Sequence, residues 1–164
     1  MKKCFLLFFV FTTVTAFSQT ASIYDDISLK SVADCRTANK YALAAADYLY
    51  NTPFDKDDAQ RTKALQFVSK WMDATPDFTF IIDATVSEKV VKGNEDLLGY
   101  YMAGMTKFCL ENIDKSKNDA LVMVSTIKML LTYCENPKNN LKMPAALQKL
   151  SDANKKGELV KALQ

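Results

Sequence analysis

The apolar residues of this chain concentrate in two runs near its middle, residues 97–110 and 120–134. The first run contains ten apolar residues in fourteen and one charge, Lys107, and the second contains eleven in fifteen and one charge, Lys128. A helix that is apolar on nearly every side has to be covered by other helices. The two runs therefore predict a central, buried antiparallel hairpin over residues 94–135.

Polar residues mark the ends of these two predicted helices. Asn94 is a good N-cap for the first helix, and Asn118 or Asp119 is one for the second. Asn136 precedes Pro137 and is pushed out of the α region, so we expect the second helix to end there. Each helix is shorter than the roughly 18 to 20 residues of a membrane span.

Gly99 and Gly104 lie inside the first predicted helix, where each glycine costs roughly 1 kcal/mol relative to alanine. A glycine kept at such a position usually has a packing or functional reason. We expect that these two let a neighbouring helix come close. A ligand lying against the bare backbone is the alternative interpretation.

Weaker helical patterns flank the hairpin on both sides. Apolar residues repeat at spacings of three and four over residues 31–50 and again over residues 58–74. Pro144 suits the first turn of a last helix, which Gly157 breaks. These patterns predict an all-α fold, a single compact helical bundle of five or six helices over residues 31–156. Residues 157–164 are expected to form a short, frayed tail.

The connection between the second flanking helix and the hairpin is rich in aromatic residues. Phe78, Phe80 and Ile82 alternate as in a β-strand, but no other stretch has a strand pattern that could pair with it. We therefore predict an extended connection that presses its aromatic rings into the bundle. Residues 87–92 are predicted to form a short helix that Gly93 stops.

The N-terminus has the residue order of a secretory signal peptide over residues 1–18. Two lysines precede an apolar stretch, and Ala16 and Ser18 are the small residues that a signal peptidase inspects. Cleavage after Ser18 would leave Gln19 first, at the start of a leader over residues 19–30. A short membrane anchor is the alternative, but the apolar stretch is too short to span a bilayer. The sequence therefore predicts a soluble, exported protein that is periplasmic or secreted.

Removal of the signal peptide changes the charge balance. The whole chain has 21 basic and 19 acidic residues, and the loss of Lys2 and Lys3 leaves 19 of each. A chain without net charge has no basic field, so neither nucleic acid nor an anionic membrane is predicted as a partner. Removing 18 of the 164 residues leaves 146, which is enough for one domain with its own core.

Histidine is absent from the chain, which removes the commonest general base and the commonest metal ligand. The four glycines form no phosphate-binding loop. We predict no cofactor and no metal. A pair of carboxylates could still act as acid and base, as in glycosidases. The candidates near Trp71 are Asp73, Asp77, Asp83 and Glu88.

Three cysteines remain after signal cleavage, Cys35, Cys109 and Cys134, and their spacings match no zinc site. Export permits one disulfide. In the predicted hairpin Cys109 and Cys134 lie about 20 Å apart along the axis, beyond the roughly 7 Å that a disulfide bridges. If the helices of Cys35 and Cys134 run side by side in opposite directions, these two cysteines can pair. We therefore predict a Cys35–Cys134 bond, with Cys109 as a buried free thiol.

Two classes of function remain. The first is a non-catalytic binding or interaction module for a protein or small molecule. It would use a helical face or the 75–83 connection, and its candidate residues are Trp71, Asp77, Phe78 and Phe80. The alternative is a hydrolase with paired carboxylates in the 71–88 segment. An exposed aromatic patch favours binding, whereas a pocket with two carboxylates roughly 5 to 9 Å apart favours hydrolysis.

Four segments of the chain carry a resemblance to known proteins. They are Trp71-Met72, Thr75-Pro76-Asp77-Phe78, Gly93-Asn94-Glu95-Asp96-Leu97-Leu98-Gly99 and Cys134-Glu135-Asn136-Pro137-Lys138-Asn139-Asn140. With these segments the chain resembles a group of small, exported, uncharacterised bacterial proteins. The resemblance covers most of the chain after the signal peptide. It implies an all-helical domain and no particular activity.

Overall fold

The computed structural model describes residues 23–164, so the predicted signal peptide and the first residues of the leader lie outside the described residues. Within this range the chain forms seven α-helices and no β-strand, which confirms the predicted all-α class. The helices are α1 (Val32–Asn51), α2 (Ala59–Ala74), α3 (Ala84–Val86), α4 (Asp96–Glu111), α5 (Asp119–Glu135), α6 (Ala145–Lys155) and α7 (Leu159–Leu163).

The first two helices form an antiparallel pair with well-capped N-termini. Ser31 begins α1 with a capping box, and Asp58 caps α2 by accepting two backbone N–H groups. The Tyr48 hydroxyl donates to the Asp58 carboxylate at 2.6 Å, which joins the end of α1 to the start of α2. At the other end, the Cys35 thiol of α1 donates to the carbonyl of Ala74, the last residue of α2, at 3.4 Å.

Helix α4 lies at the centre of the fold and packs against α1, α2 and α5. Eight of its sixteen residues are buried, as its apolar composition predicts. Helix α5 packs mainly on α4, and Asn118 caps it as predicted. Met105 and Ile127, which the predicted hairpin places in the core, are 1% and 0% exposed. The side of α5 turned away from α4 is less covered, and Leu121 and Lys128 are exposed there.

The chain after α5 covers one side of the bundle. Helix α6 packs against the π-helical turn Ser87–Val91, which continues α3, and α7 packs on α6. The last residues are not frayed, because Leu159 and Leu163 of α7 are buried in the core. No helix within residues 23–164 is long and apolar enough to cross a membrane.

The two glycines of α4 lie where neighbouring helices come close, as the sequence predicts. A Cβ atom on Gly99 would meet only the end of the Leu65 side chain of α2, at 2.7 Å. A Cβ atom on Gly104 would meet the Tyr50 hydroxyl of α1 at 2.7 Å and a methyl group of Thr126 of α5 at 2.9 Å. Gly104 is therefore enclosed by two helices, whereas Gly99 faces one flexible side chain.

We expect Gly104→Ala to lower the free energy of unfolding by about 1–3 kcal/mol, because overpacking forces side chains out of position. Gly99→Ala is the matched control. Leu65 can move, and alanine favours helix by roughly 1 kcal/mol over glycine, so the stability should stay the same or rise. Urea unfolding of the two variants measures the difference. Equal losses for both would contradict the assigned packing.

Candidate functional site

The predicted binding residues Trp71, Phe78 and Phe80 form an internal aromatic cluster. Trp71 is 0% exposed. The rings of Phe78 and Phe80 both lie 5.8 Å from the Trp71 ring, between centroids. The indole N–H donates to the amide oxygen of Asn39 at 3.1 Å. These contacts make Trp71 a core residue that is not exposed to a partner, whereas Phe78 and Phe80 are half-buried against it.

Asp77, the fourth predicted binding residue, is held by an ion pair. Arg36 donates to both of its carboxylate oxygens, at 2.8 and 2.9 Å. These hydrogen bonds and the charge of Arg36 keep the pKa of Asp77 below its usual value. The pair ties the start of α1 to the turn after α2.

The opposite face of the same connection lines a cavity. Because the segment is extended, successive side chains point to opposite sides. Phe78 and Phe80 contact Trp71, whereas Thr79, Ile81 and, further along, Asp83 border a groove of about 320 Å³. The predicted segment therefore does border a cavity, but with residues other than the predicted aromatics.

We call this cavity the side groove. Its floor includes Tyr101 and Met105 of the central helix α4. One wall is the start of α5, and the other side is formed by α7 and the last residue. The apolar side chains that line it on these helices include Val122, Met123, Val124, Val160 and Leu163.

One residue of the side groove, Tyr101, has a buried hydroxyl without a hydrogen-bond partner in the described chain. Tyr101 is 0% exposed, and its hydroxyl has no hydrogen-bond partner in the described part of the chain. Burial, together with the negative charge of Asp83, raises the pKa of Tyr101. A buried hydroxyl without a partner costs about 1–3 kcal/mol. A hydrogen-bonding group of a ligand that reached this oxygen would remove that cost.

The charged side chains that line the side groove are both acidic, Asp83 and Asp119. Asp83 also caps α3 by accepting the backbone N–H of Val86 at 3.0 Å. Neither carboxylate belongs to any ion pair found within residues 23–164. A cation of the π-helical turn Ser87–Val91 does contact α7 beside the groove. That cation, Lys89, donates to the carbonyl of Ala162 at 2.9 Å. The groove therefore presents negative charge beside apolar walls.

A second depression is formed by the C-terminal half of α5, with Tyr50 of α1 and Lys107 of α4. It measures about 450 Å³, is more open to solvent, and is bordered by Lys107, Lys128 and Tyr133. Lys107 is already paired with Asp47 at 2.5 Å. None of the buried polar atoms that lack a partner in the described chain belongs to its lining. The side groove is therefore the better candidate for a binding site.

The structure contradicts the predicted Cys35–Cys134 disulfide. All three described cysteines are free thiols. The Tyr133 hydroxyl donates to the carbonyl of Thr52 at 2.7 Å, so the C-terminal ends of α5 and α1 lie together. Cys134 is next to Tyr133, whereas Cys35 is at the other end of α1, about 25 Å away at 1.5 Å per residue. The prediction assumed that α1 and α5 are antiparallel neighbours, and that assumption was wrong.

We expect the protein that begins at Gln19 to contain three thiols that react fully with Ellman's reagent only after unfolding. Burial raises the pKa of Cys109 to about 11 and that of Cys134 to about 12. Because the thiolate is the reactive form, both should react more than about 100-fold more slowly than a free cysteine near neutral pH. Fewer than three thiols in unreduced, unfolded protein would reveal a disulfide.

No family model matches the chain, and no curated protein or solved structure is significantly similar to it. The resemblance to small, exported bacterial proteins therefore stays a prediction.

The apolar surplus of α5 is the sequence signal for the side groove. Helix α5 is as apolar as α4 in its sequence, although only one of them can lie at the centre of a bundle this small. The surplus apolar residues of α5, such as Met123 and Val124, border the groove. Their partners on α7 lie about forty residues later, so local spacing could not bring them together.

Proposed function

We propose that this chain is an exported, non-catalytic binding protein whose ligand occupies the side groove. The groove carries the proposal. Its volume of about 320 Å³ lies in the range of ligand cavities. Its lining combines apolar side chains with a buried, unpartnered hydroxyl and two carboxylates, and ligand sites generally pair apolar walls with a few polar groups.

Export is supported by the residue order of the N-terminus, lysines followed by an apolar stretch and then small residues. We expect the exported protein to begin at Gln19 and to lack 18 residues, which intact-mass spectrometry measures. Retention of residues 1–18 in a membrane fraction would contradict cleavage.

The alternative, a hydrolase with paired carboxylates in the 71–88 segment, has less support. A general acid needs a raised pKa, whereas Arg36 lowers the pKa of Asp77. Of the four candidate carboxylates, Asp83 is the one that borders the side groove. Asp119 is the second carboxylate of the groove, but it lies outside the 71–88 segment, and Asp83 is held as the N-cap of α3 by the backbone N–H of Val86. We therefore favour binding over catalysis.

The neutral dye N-phenyl-1-naphthylamine, which fluoresces in apolar surroundings, tests the proposal. Ala120 is exposed, borders the side groove and occupies the second position of α5. An indole introduced there covers the groove without entering the core, so Ala120→Trp should weaken dye binding at least about tenfold.

Ala33→Trp is the matched control. Ala33 is also exposed and occupies the second position of α1, away from the groove. The Ala33→Trp variant should bind the dye with the same affinity as the unmodified protein. Absence of saturable dye binding, or equal affinity in the two variants, would contradict the side groove as the binding site.

A further inference from the structure

We propose that the side groove selects a small amphipathic cation, a primary ammonium group on an alkyl or aryl body. This inference rests on the proposed binding function and adds the class of ligand. The apolar body would lie along α5, and the ammonium would lie at the rim beside Asp83 and Asp119, the charged side chains of the lining.

The size of the groove sets the size of the apolar body. The groove measures about 320 Å³, at the small end of the range of ligand cavities, and is partly open to solvent. It therefore suits a small ligand with a single alkyl chain or one or two aromatic rings. Burial of each methylene should raise the affinity about fourfold.

The charges select the sign of the ligand. Asp83 and Asp119 border the groove, and no lysine or arginine lies in its lining. The nearby Lys89 is bound to the carbonyl of Ala162, and Lys161 is exposed beside the groove residue Val160. An anionic headgroup would face two carboxylates, whereas a cation would be attracted to both.

The hydrogen-bonding groups select the kind of cation. Two carboxylates, which only accept hydrogen bonds, border the groove. The Tyr101 hydroxyl is buried in the floor without a partner in the described chain, and its oxygen can also accept from a ligand that reaches it. A primary ammonium has three N–H donors and no acceptor, so it complements this set. A quaternary ammonium carries the same charge but has no donor.

Competition against the dye tests the ligand class. Decylammonium, 1-decanol and decanoate share one chain length and differ in headgroup charge. We expect decylammonium to displace the dye at a roughly tenfold lower concentration than decanol, because attraction to each of the two carboxylates should raise the affinity about two- to fivefold. Decanoate should displace the dye less effectively than decanol does. The preference for the ammonium should shrink as salt is added, because these charges are exposed.

Substitutions at the rim separate charge from shape. The Asp83→Asn/Asp119→Asn double variant should lose the ammonium preference and keep its affinity for the dye. Asparagine also caps helices, so α3 should remain capped. Asp73→Asn/Asp114→Asn is the matched control, since both carboxylates are exposed and neither borders the groove. This control variant should still prefer decylammonium over decanol.

Tyr101→Phe tests the hydroxyl. The substitution should weaken the binding of decylammonium. It should leave the protein folded, because the hydroxyl makes no hydrogen bond in the described chain. Decyltrimethylammonium and decylammonium, which share one chain length, should then bind more equally than they do to the unmodified protein. An unchanged preference for the primary ammonium would overturn the role of Tyr101.

The two proposals fail in different ways. If the dye does not bind, the binding function itself is wrong. If the dye binds but decanoate displaces it as well as decylammonium does, the groove binds ligands and the choice of a cation is overturned. Displacement by a basic amphipathic peptide under conditions where decylammonium has no effect, or dimerisation that excludes the dye, would also overturn it.

Discussion

Replacing Trp71 with alanine should lower the free energy of unfolding by about 3–5 kcal/mol, the usual loss when a large aromatic side chain leaves a core. Trp71 is fully buried, and the rings of Phe78 and Phe80 rest against it. Its removal would leave a cavity and detach the 75–83 connection. Because Trp71 is the only tryptophan, unfolding should be followed by far-UV circular dichroism.

Trp71→Phe separates ring packing from the hydrogen bond of the indole. Phenylalanine keeps one ring in the cluster but leaves the amide oxygen of Asn39 without its donor. We expect a smaller loss, about 1–2 kcal/mol. An unchanged denaturation midpoint in Trp71→Ala would mean that this side chain lies outside the core, and would make the aromatic cluster a binding candidate again.

The loss of the connection should also affect the side groove. Thr79 and Ile81 border the groove on the face opposite Phe78 and Phe80. A connection that loses its anchor on Trp71 should no longer hold that wall in place. Trp71→Ala should therefore weaken dye binding even at temperatures where the bundle stays folded.

Local patterns predicted the helices and most of their ends. The predicted N-cap Asn94 is an exception, because α4 begins at Asp96 and its N-cap is Glu95, without a side-chain cap. The capping residues Ser31, Asp58 and Asn118 and the positive-φ residues Gly93 and Gly157 lie at the predicted boundaries. These signals are local, because a cap or a left-handed glycine acts within one helical turn. The buried face of α4 was also predictable, since its periodic apolar residues require cover on several sides.

The relative placement of the helices was not predictable from such patterns. The Cys35–Cys134 prediction depended on which helices are neighbours, and α1 proved to pack on α2 and α4. The side groove likewise depends on α7, whose five residues are too few for a clear periodicity. Apolar periodicity identifies a buried face without identifying the element that covers it.

One end of the bundle is held by a polar network around Arg61, a charged residue that is 2% exposed. Its guanidinium donates to the carbonyl of Pro53 and to the side chain of Thr52, both at 2.6 Å, and also to the Tyr100 hydroxyl. The Tyr100 hydroxyl in turn lies 2.8 Å from that of Tyr133. The network thus joins the ends of α1 and α5 to the starts of α2 and α4.

We expect Arg61→Met to lower the free energy of unfolding by about 3–5 kcal/mol, as when one partner of a buried charged network is removed. Methionine resembles the arginine stem in size, but it leaves buried acceptors on Thr52 and Pro53 without donors. Arg61→Lys should recover only part of the loss, because one ammonium cannot reproduce the planar fork of a guanidinium.

Arg36→Met is the matched control for Arg61→Met. The Arg36 side chain is 63% exposed, and its ion pair with Asp77 lies at the surface. Exposed pairs of this kind contribute about 0–1 kcal/mol, so the same substitution should have little effect there. Urea unfolding of both variants gives the comparison. If Arg61→Met is as stable as the unmodified protein, then apolar packing replaces the network, and the end of the bundle does not depend on its hydrogen bonds.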